Sequence, residues 1–182
     1  IDNFCAVTNN FGENPFLIRG GIIKSENRYY NKRLARLKSE AMRCNKAATT
    51  RRIRRLTDRR DRILKDLMHK ASRKVADWAA ANKVDLVVLG HNVFQKQGIT
   101  LGHVNNQNFV QIPFSVFAGM LEYKLEDAGI AFLMVEESYT SKADYLAGDR
   151  IPVYDKGKQG EEEHSFSGRR VTRGQYRHYD GT

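Results

Sequence analysis

Between Glu26 and Ala81 apolar residues return every three or four positions, a spacing that only a helix turns into a continuous face. Tyr30, Leu34, Leu37, Ala41 and Cys44 make one stripe, and Ile53, Leu56, Ile63, Leu67, Ala71, Val75 and Trp78 make a second. Asn45 to Thr50 is a polar break between them, in which Thr49 or Thr50 can cap the following helix. Two amphipathic helices joined by a short link fold back on each other, so any fold open to this chain must carry an antiparallel helical hairpin over about 26–81.

The hairpin also holds the charge. From Lys24 to Lys74 there are 19 Lys+Arg against 5 Asp+Glu, so this segment carries +14 while the whole chain is +10 and the remainder −4. The outer face of the second helix presents Arg51, Arg52, Arg54, Arg55, Arg59, Arg60 and Arg62. Solvated helix faces usually mix signs; here arginine outnumbers acid severalfold, and arginine offers the two-pronged geometry that suits phosphate. Polyanions are therefore the expected partners, with phosphate contacts supplying most of the affinity. The chain lacks the roughly 18-residue apolar run of a membrane span, and no signal peptide is expected. Two cysteines, Cys5 and Cys44, support neither a disulfide framework nor a cysteine-built zinc site, and a cytoplasmic location is the simplest expectation.

Short apolar runs flank the hairpin. Phe4–Val7 and Phe16–Ile18 read as a strand pair with a turn-rich connection, and Gly20-Gly21 before Ile22-Ile23 reads as a bulge or strand break. Val84 to Leu89 is a strand ending at Gly90, Phe114, Phe117, Leu121, Leu125 and Ala128 form a helical stripe, and Ile130–Val135 is a strand expected to be buried on both faces. Strand, helix, strand makes a crossover between neighbouring parallel strands. The exit of the last strand gathers Glu136, Glu137, Ser138, Tyr139, Thr140, Ser141 and Lys142, and strand ends are where α/β proteins place chemistry. The loop from 93 to 111 is rich in amides, including Asn106. Beyond Lys142 the pattern loosens, with a small basic hairpin possible over Phe166–Tyr176. The layout is that of an α/β, ribonuclease H-like (RuvC-like) mixed sheet with an inserted basic helical hairpin, a fold in which carboxylates at strand ends commonly hold two divalent metals.

Six ordered stretches carry a resemblance: Asp2-Asn-Phe-Cys-Ala-Val-Thr-Asn9, Gly20-Gly-Ile-Ile-Lys-Ser25 through Lys32, Asn106-Gln-Asn-Phe-Val-Gln-Ile-Pro-Phe114, Leu121-Glu-Tyr-Lys124, Glu137-Ser-Tyr-Thr-Ser-Lys142 and Gly168-Arg-Arg-Val-Thr-Arg-Gly174. They resemble the OrfB/TnpB proteins of bacterial insertion sequences. That resemblance implies an RNA-guided DNA endonuclease related to the type V CRISPR effectors, with DNA and a guide RNA as partners and magnesium as cofactor. It also implies a RuvC-like nuclease domain over 1–142 and a degenerate zinc-ribbon-like appendage over 143–182. Asn106, Thr140, Ser141 and Lys142 lie within these motifs and join Arg51, Arg52, Arg54, Arg55, Arg59 and Arg62 as candidate nucleic-acid contacts.

Carried over position by position, the family's first and third catalytic Asp fall outside this chain, which begins at Ile1 and reads as a fragment expected to be inactive alone. Many relatives place the middle acid at the end of the strand matching Val84–Leu89, where this chain has Gly90-His91. Glu136 or Glu137 is the expected replacement, as catalytic acid and metal ligand. Where many relatives continue into Cys-x-x-Cys, Ala143-Asp144-Tyr145-Leu146 stands here, and His164 and His178 are too few for a ligand set, so no zinc is expected. A relative that binds nucleic acid without cutting it is the alternative.

Overall fold

A computed structural model of the chain describes residues 3–91, 111–152, 165–172 and 175–181. Its centre is the helical hairpin, α1 (Gly21–Asn45) and α2 (Arg51–Ala81). Thr50 is the N-cap of α2, its side chain accepting the Ile53 N–H at 3.2 Å, and Lys46 closes α1 in the left-handed region with φ 50°. α1 starts earlier than the sequence pattern suggests: Gly20 is its N-cap and Ile22-Ile23 are helical, not the end of a strand. The reason lies in burial. Ile23 extends the stripe Asn27, Tyr30, Leu34, Leu37, Ala41 by one turn, and it is buried. Leu37, Ala41 and Ile53 form a core cluster with Leu34 and Leu56 against it.

A polar seam runs beside that cluster. Arg60 donates from Nε to the buried Asn27 Oδ1 (3.0 Å) and from Nη2 to the Gln111 carbonyl (3.0 Å), and its guanidinium lies over the Tyr30 ring at 5.1 Å. Asn31 and Gln111 exchange two amide hydrogen bonds of 3.1 and 3.0 Å, while the Tyr30 and Thr57 hydroxyls meet at 3.1 Å. Arg60 is thus not part of the outer arginine face. Asn27 keeps one unpartnered buried amide nitrogen, Nδ2, a cost the seam carries in exchange for orientation.

The other side of α2 receives α3 (Phe114–Asp127). Leu64, Met68, Ala71, Val75 and Ala79 of α2 and Phe117, Leu121 and Leu125 of α3 are buried. Burying each large aliphatic side chain contributes about 1.5–3 kcal/mol, which makes this the principal core. The antiparallel pair β1 (Asn3–Val7) and β2 (Phe16–Arg19) is anchored by rings: Phe4 stacks on Phe114 at 5.7 Å and meets Phe117 edge-on at 4.9 Å, and Phe11 and Phe16 pack on Trp78 at 5.8 and 5.5 Å.

β3 (Leu86–Gly90) and β4 (Ala131–Val135) pair with each other around the α3 crossover. Ala131 N donates to Asp85 O at one end (2.9 Å) and His91 N to Val135 O at the other (2.8 Å), so the strands run in the same direction. The expectation that β4 is buried on both faces is corrected: Leu133 is 51% and Met134 49% exposed. No wider sheet surrounds this ribbon among the described residues: the described strands form three separate two-stranded sheets, the third being the hairpin β5 (Arg169–Thr172) and β6 (Gln175–Arg177). The chain divides into two compact units, Ile1–Val87 with Lys96–Phe132 and Val88–Gln95 with Leu133–Thr182. No helix among the described residues is long and apolar enough to cross a membrane.

Candidate functional site

Three groups of side chains bear on function. The first is the arginine face. Arg51, Arg52, Arg54, Arg55, Arg59 and Arg62 are all exposed, because the stripe that packs on α1 and α3 turns them outward. Acids occupy little of it. Arg52 lies 3.8 Å from Glu40, whose carboxylate also takes the Arg36 Nε hydrogen bond at 2.9 Å, and that bond, with Arg52 and Arg43 nearby, holds Glu40 below the usual carboxylate range. Arg59 lies over the Tyr29 ring at 5.7 Å and Arg62 donates to the Asp58 carbonyl at 3.3 Å. Arg51, Arg54 and Arg55 make no ion pair among the described residues. Their charge is held on α2 without an ion-pair partner among the described residues, which is the condition for binding a chain of phosphates. Asn106 lies outside the described residues.

The second group is at the end of the β3–β4 ribbon. A Cβ on Gly90 would collide with the Glu137 side chain, at Oε1, Cδ and Cγ. The Glu137 carboxylate therefore crosses the end of β3 and fills the space that a side chain at position 90 would occupy. Both Glu136 and Glu137 are exposed, and Glu136 Oε1 accepts a hydrogen bond from Ser138 Oγ instead. Sequence spacing leaves the two acids equivalent, while the fold separates them by direction. Among the described residues no group of three His, Cys, Asp or Glu side chains is placed to hold a metal ion. Glu137 by itself does not make a ligand set.

The third group lies in the turn region after Glu137 and in the β5–β6 hairpin. Thr140 and Ser141 are exposed on a pocket of ≈ 620 Å³, together with Arg170, Gln175, Tyr176 and Tyr145, the last 93% exposed. Thr140 Oγ1 donates to Glu137 O (2.8 Å), and Lys142 stands over the Tyr139 ring at 6.0 Å while its carbonyl accepts the Tyr176 hydroxyl at 2.8 Å. Beneath the pocket is a cluster that the sequence pattern does not announce. Asp144, only 2% exposed, accepts from Leu146 N (3.1 Å), Ala147 N (3.2 Å) and His178 Nδ1 (2.5 Å). Asp149 accepts from Asp144 N (2.8 Å), Ser167 N (2.9 Å) and Ser167 Oγ (2.5 Å). Gly168 is required there, since a Cβ would come within 2.6 Å of Asp144 and of the Tyr176 ring. The one sequence signal was Asp144 standing three residues ahead of a small residue and a glycine, the pattern of a side chain that bonds its own turn. His164 lies outside the described residues.

These contacts have a pH signature. Burial pushes Asp144 up, but the His178 hydrogen bond and the turn amides outweigh it; Ser167 and the Asp144 amide lower Asp149. Both carboxyls end below their ordinary range, so the stability they supply is complete above the unfolded carboxylate value of about 3.9 and is lost as pH falls through the lower folded values. The amide resonances of Leu146, Ala147 and Ser167 are expected to hold their positions down to about pH 4 and then to collapse toward random-coil values together. Collapse already at neutral pH would contradict the clamp.

With this geometry in place, comparisons with known proteins give two findings. A family model described as OrfB_IS605, probable transposase, matches residues 1–95. A chain from a cryo-EM structure of the Cas12f1–sgRNA–target DNA complex superposes with a TM-score of 0.52 at 21% identity, over 74% of this chain and 33% of that one. The chain therefore spans about a third of the length of that protein, and the likeness is one of fold. No curated protein matches.

Proposed function

The chain belongs to the OrfB_IS605 family of probable transposases, and on that premise we propose that it is the nucleic-acid-binding and carboxylate-bearing part of a ribonuclease H-like (RuvC-like), RNA-guided DNA endonuclease. Its partners are DNA and a guide RNA, gripped through Arg51, Arg52, Arg54, Arg55, Arg59 and Arg62, with Asn106, Thr140, Ser141 and Lys142 as further contacts. The observation that supports the nuclease reading is that the Glu137 side chain, from the end of β4, lies across Gly90 at the end of β3, where many relatives carry an acid. Glu137 would hold magnesium, and Glu136, turned to Ser138, would support or replace it. Divalent ions, when bound, clamp the attacking and leaving oxygens of the scissile phosphodiester. What this chain contributes is one oxygen ligand, held at the strand end by the absence of a side chain at position 90.

Titration with Mn²⁺ tests the assignment. The amide signals of Gly90, His91 and Glu137 are expected to broaden first, Glu137→Gln to abolish that local effect, and Gly90→Ala, which evicts the carboxylate, to weaken it about 10–100-fold, as loss of a ligand's support does. Equal broadening in the Glu137→Gln protein would remove Glu137 from the site. A second reading, a relative that binds without cutting, draws support from the lack of a three-ligand cluster among the described residues. It predicts no localised Mn²⁺ effect while polyanion binding persists.

A further inference from the structure

The motif Leu121-Glu-Tyr-Lys124 ends in a lysine that the reading above leaves unused. Lys124 is on α3 and only 4% exposed. Its ammonium donates to Ser72 Oγ (2.5 Å) and His69 O (2.9 Å) on α2 and stands 3.5 Å from His69 Nδ1. The Ser72 hydroxyl and the His69 carbonyl carry no charge, and no carboxylate among the described residues forms an ion pair with Lys124. A buried ammonium normally has an anion beside it or gives up its proton. Burial, and after it the Arg73 charge, push Lys124 below the usual lysine range, with Asp77 opposing. Ser72 is fully buried and bonds back to the Met68 carbonyl at 2.8 Å, so the Ser72–Lys124 contact is not an accessible nucleophile and base.

Lys124 lines a groove of ≈ 640 Å³ between α2 and α3, with Lys70, Arg73, Lys74 and Asp77 on the α2 side. Lys70 is paired with Asp66 at 2.7 Å and Arg73 with Asp77 at 3.4 Å, whereas Lys74 lies over the Phe16 ring at 5.3 Å. Two ammonium groups, Lys74 and Lys124, therefore have no ion-pair partner among the described residues, and the one carboxylate lining the groove, Asp77, is already paired with Arg73. This surplus is distinct from the arginine face, which occupies the first turns of α2.

We propose that the α2–α3 groove binds one phosphate group, whose negative charge compensates Lys124 and which Arg73 and Lys74 hold at the rim. The phosphate can be a phosphodiester of a bound polynucleotide, in which case the site rests on the nucleic-acid reading above, or a free phosphate, in which case it does not.

The test uses the whole chain, with Lys124→Met and Arg73→Gln; the second variant leaves the ties of Lys124 to α2 in place and carries the test if the first does not fold. A labelled single-stranded oligonucleotide and inorganic phosphate are the two probes. For a polynucleotide phosphate, each variant lowers the log–log salt slope of oligonucleotide binding by about 0.7. For a free phosphate, inorganic phosphate raises the melting temperature of the wild type and both variants lose the rise. Arg73→Gln matching the wild type in both measurements overturns the site. If the wild type binds no oligonucleotide, the nucleic-acid reading fails and the phosphate measurement alone decides the groove.

Discussion

Glutamine at positions 51, 54, 55 and 59 together is expected to weaken binding of a single-stranded oligonucleotide about 10³-fold near 0.1 M salt and to flatten the log–log salt slope by about 3, at roughly 0.7 per phosphate contact. Three of these arginines make no ion pair among the described residues and the fourth rests on Tyr29, so each can take a phosphate. Arg60 is left out deliberately: its guanidinium is spent on Asn27 and Gln111, and removing it would unsettle the helices instead of the surface. Fluorescence anisotropy across a salt series reads both quantities. An unchanged slope would mean that the face is only a solvated surface.

Leu125→Ala is expected to have the largest effect on stability. Leu125 is 0% exposed on α3, and trimming a fully enclosed leucine leaves a cavity as well as lost burial, a combined cost of about 2–5 kcal/mol. For a chain of this size that corresponds to a fall in melting temperature of about 10 °C. Glu122→Ala, on the exposed side of the same helix, should stay within about 0.5 kcal/mol of the wild type. Urea denaturation followed by far-UV circular dichroism separates the two. Similar small losses for both would show that α3 is not part of the principal core.

What the sequence made legible was what repeats. The stripes from Tyr30 to Ala41 and from Ile53 to Val75 marked both helices, the Thr49-Thr50 pair marked the start of the second, which the structure resolves to Thr50, and the order strand, helix, strand marked the parallel pair. The family was legible from ordered motifs, and the match over residues 1–95 bears that out. What escaped is polar and buried. Asn27 and Arg60 are polar residues that hydropathy assigns to solvent, and their mutual hydrogen bond, with the Arg60 contacts to Gln111 and Tyr30, makes the position tolerable. Ile22-Ile23 was hidden by Gly20-Gly21, because a glycine pair signals a break whether it ends a strand or caps a helix. The ribbon misled in the opposite direction: an unbroken apolar run suggests cover on both faces, yet Leu133 and Met134 lie open. That Glu137 rather than Glu136 reaches Gly90 depends on how the chain turns after Val135, which no periodicity encodes.

The seam between α1 and α2 has a consequence beyond holding them together. Its two cross-links step in opposite senses, Asn27 with Arg60 and then Tyr30 with Thr57, three residues up one helix and three down the other. Sliding the helices past each other by a turn would set Arg60 against Ile23 and strand a guanidinium, or set it against Asn31 and compete with the Asn31–Gln111 amide pair. The hairpin is therefore a vernier with a single reading. The row from Arg51 to Arg62, about 16 Å long at 1.5 Å per residue, behaves as a ruler of fixed length and fixed zero, and a bound polyanion has to fit its spacing to the protein's scale.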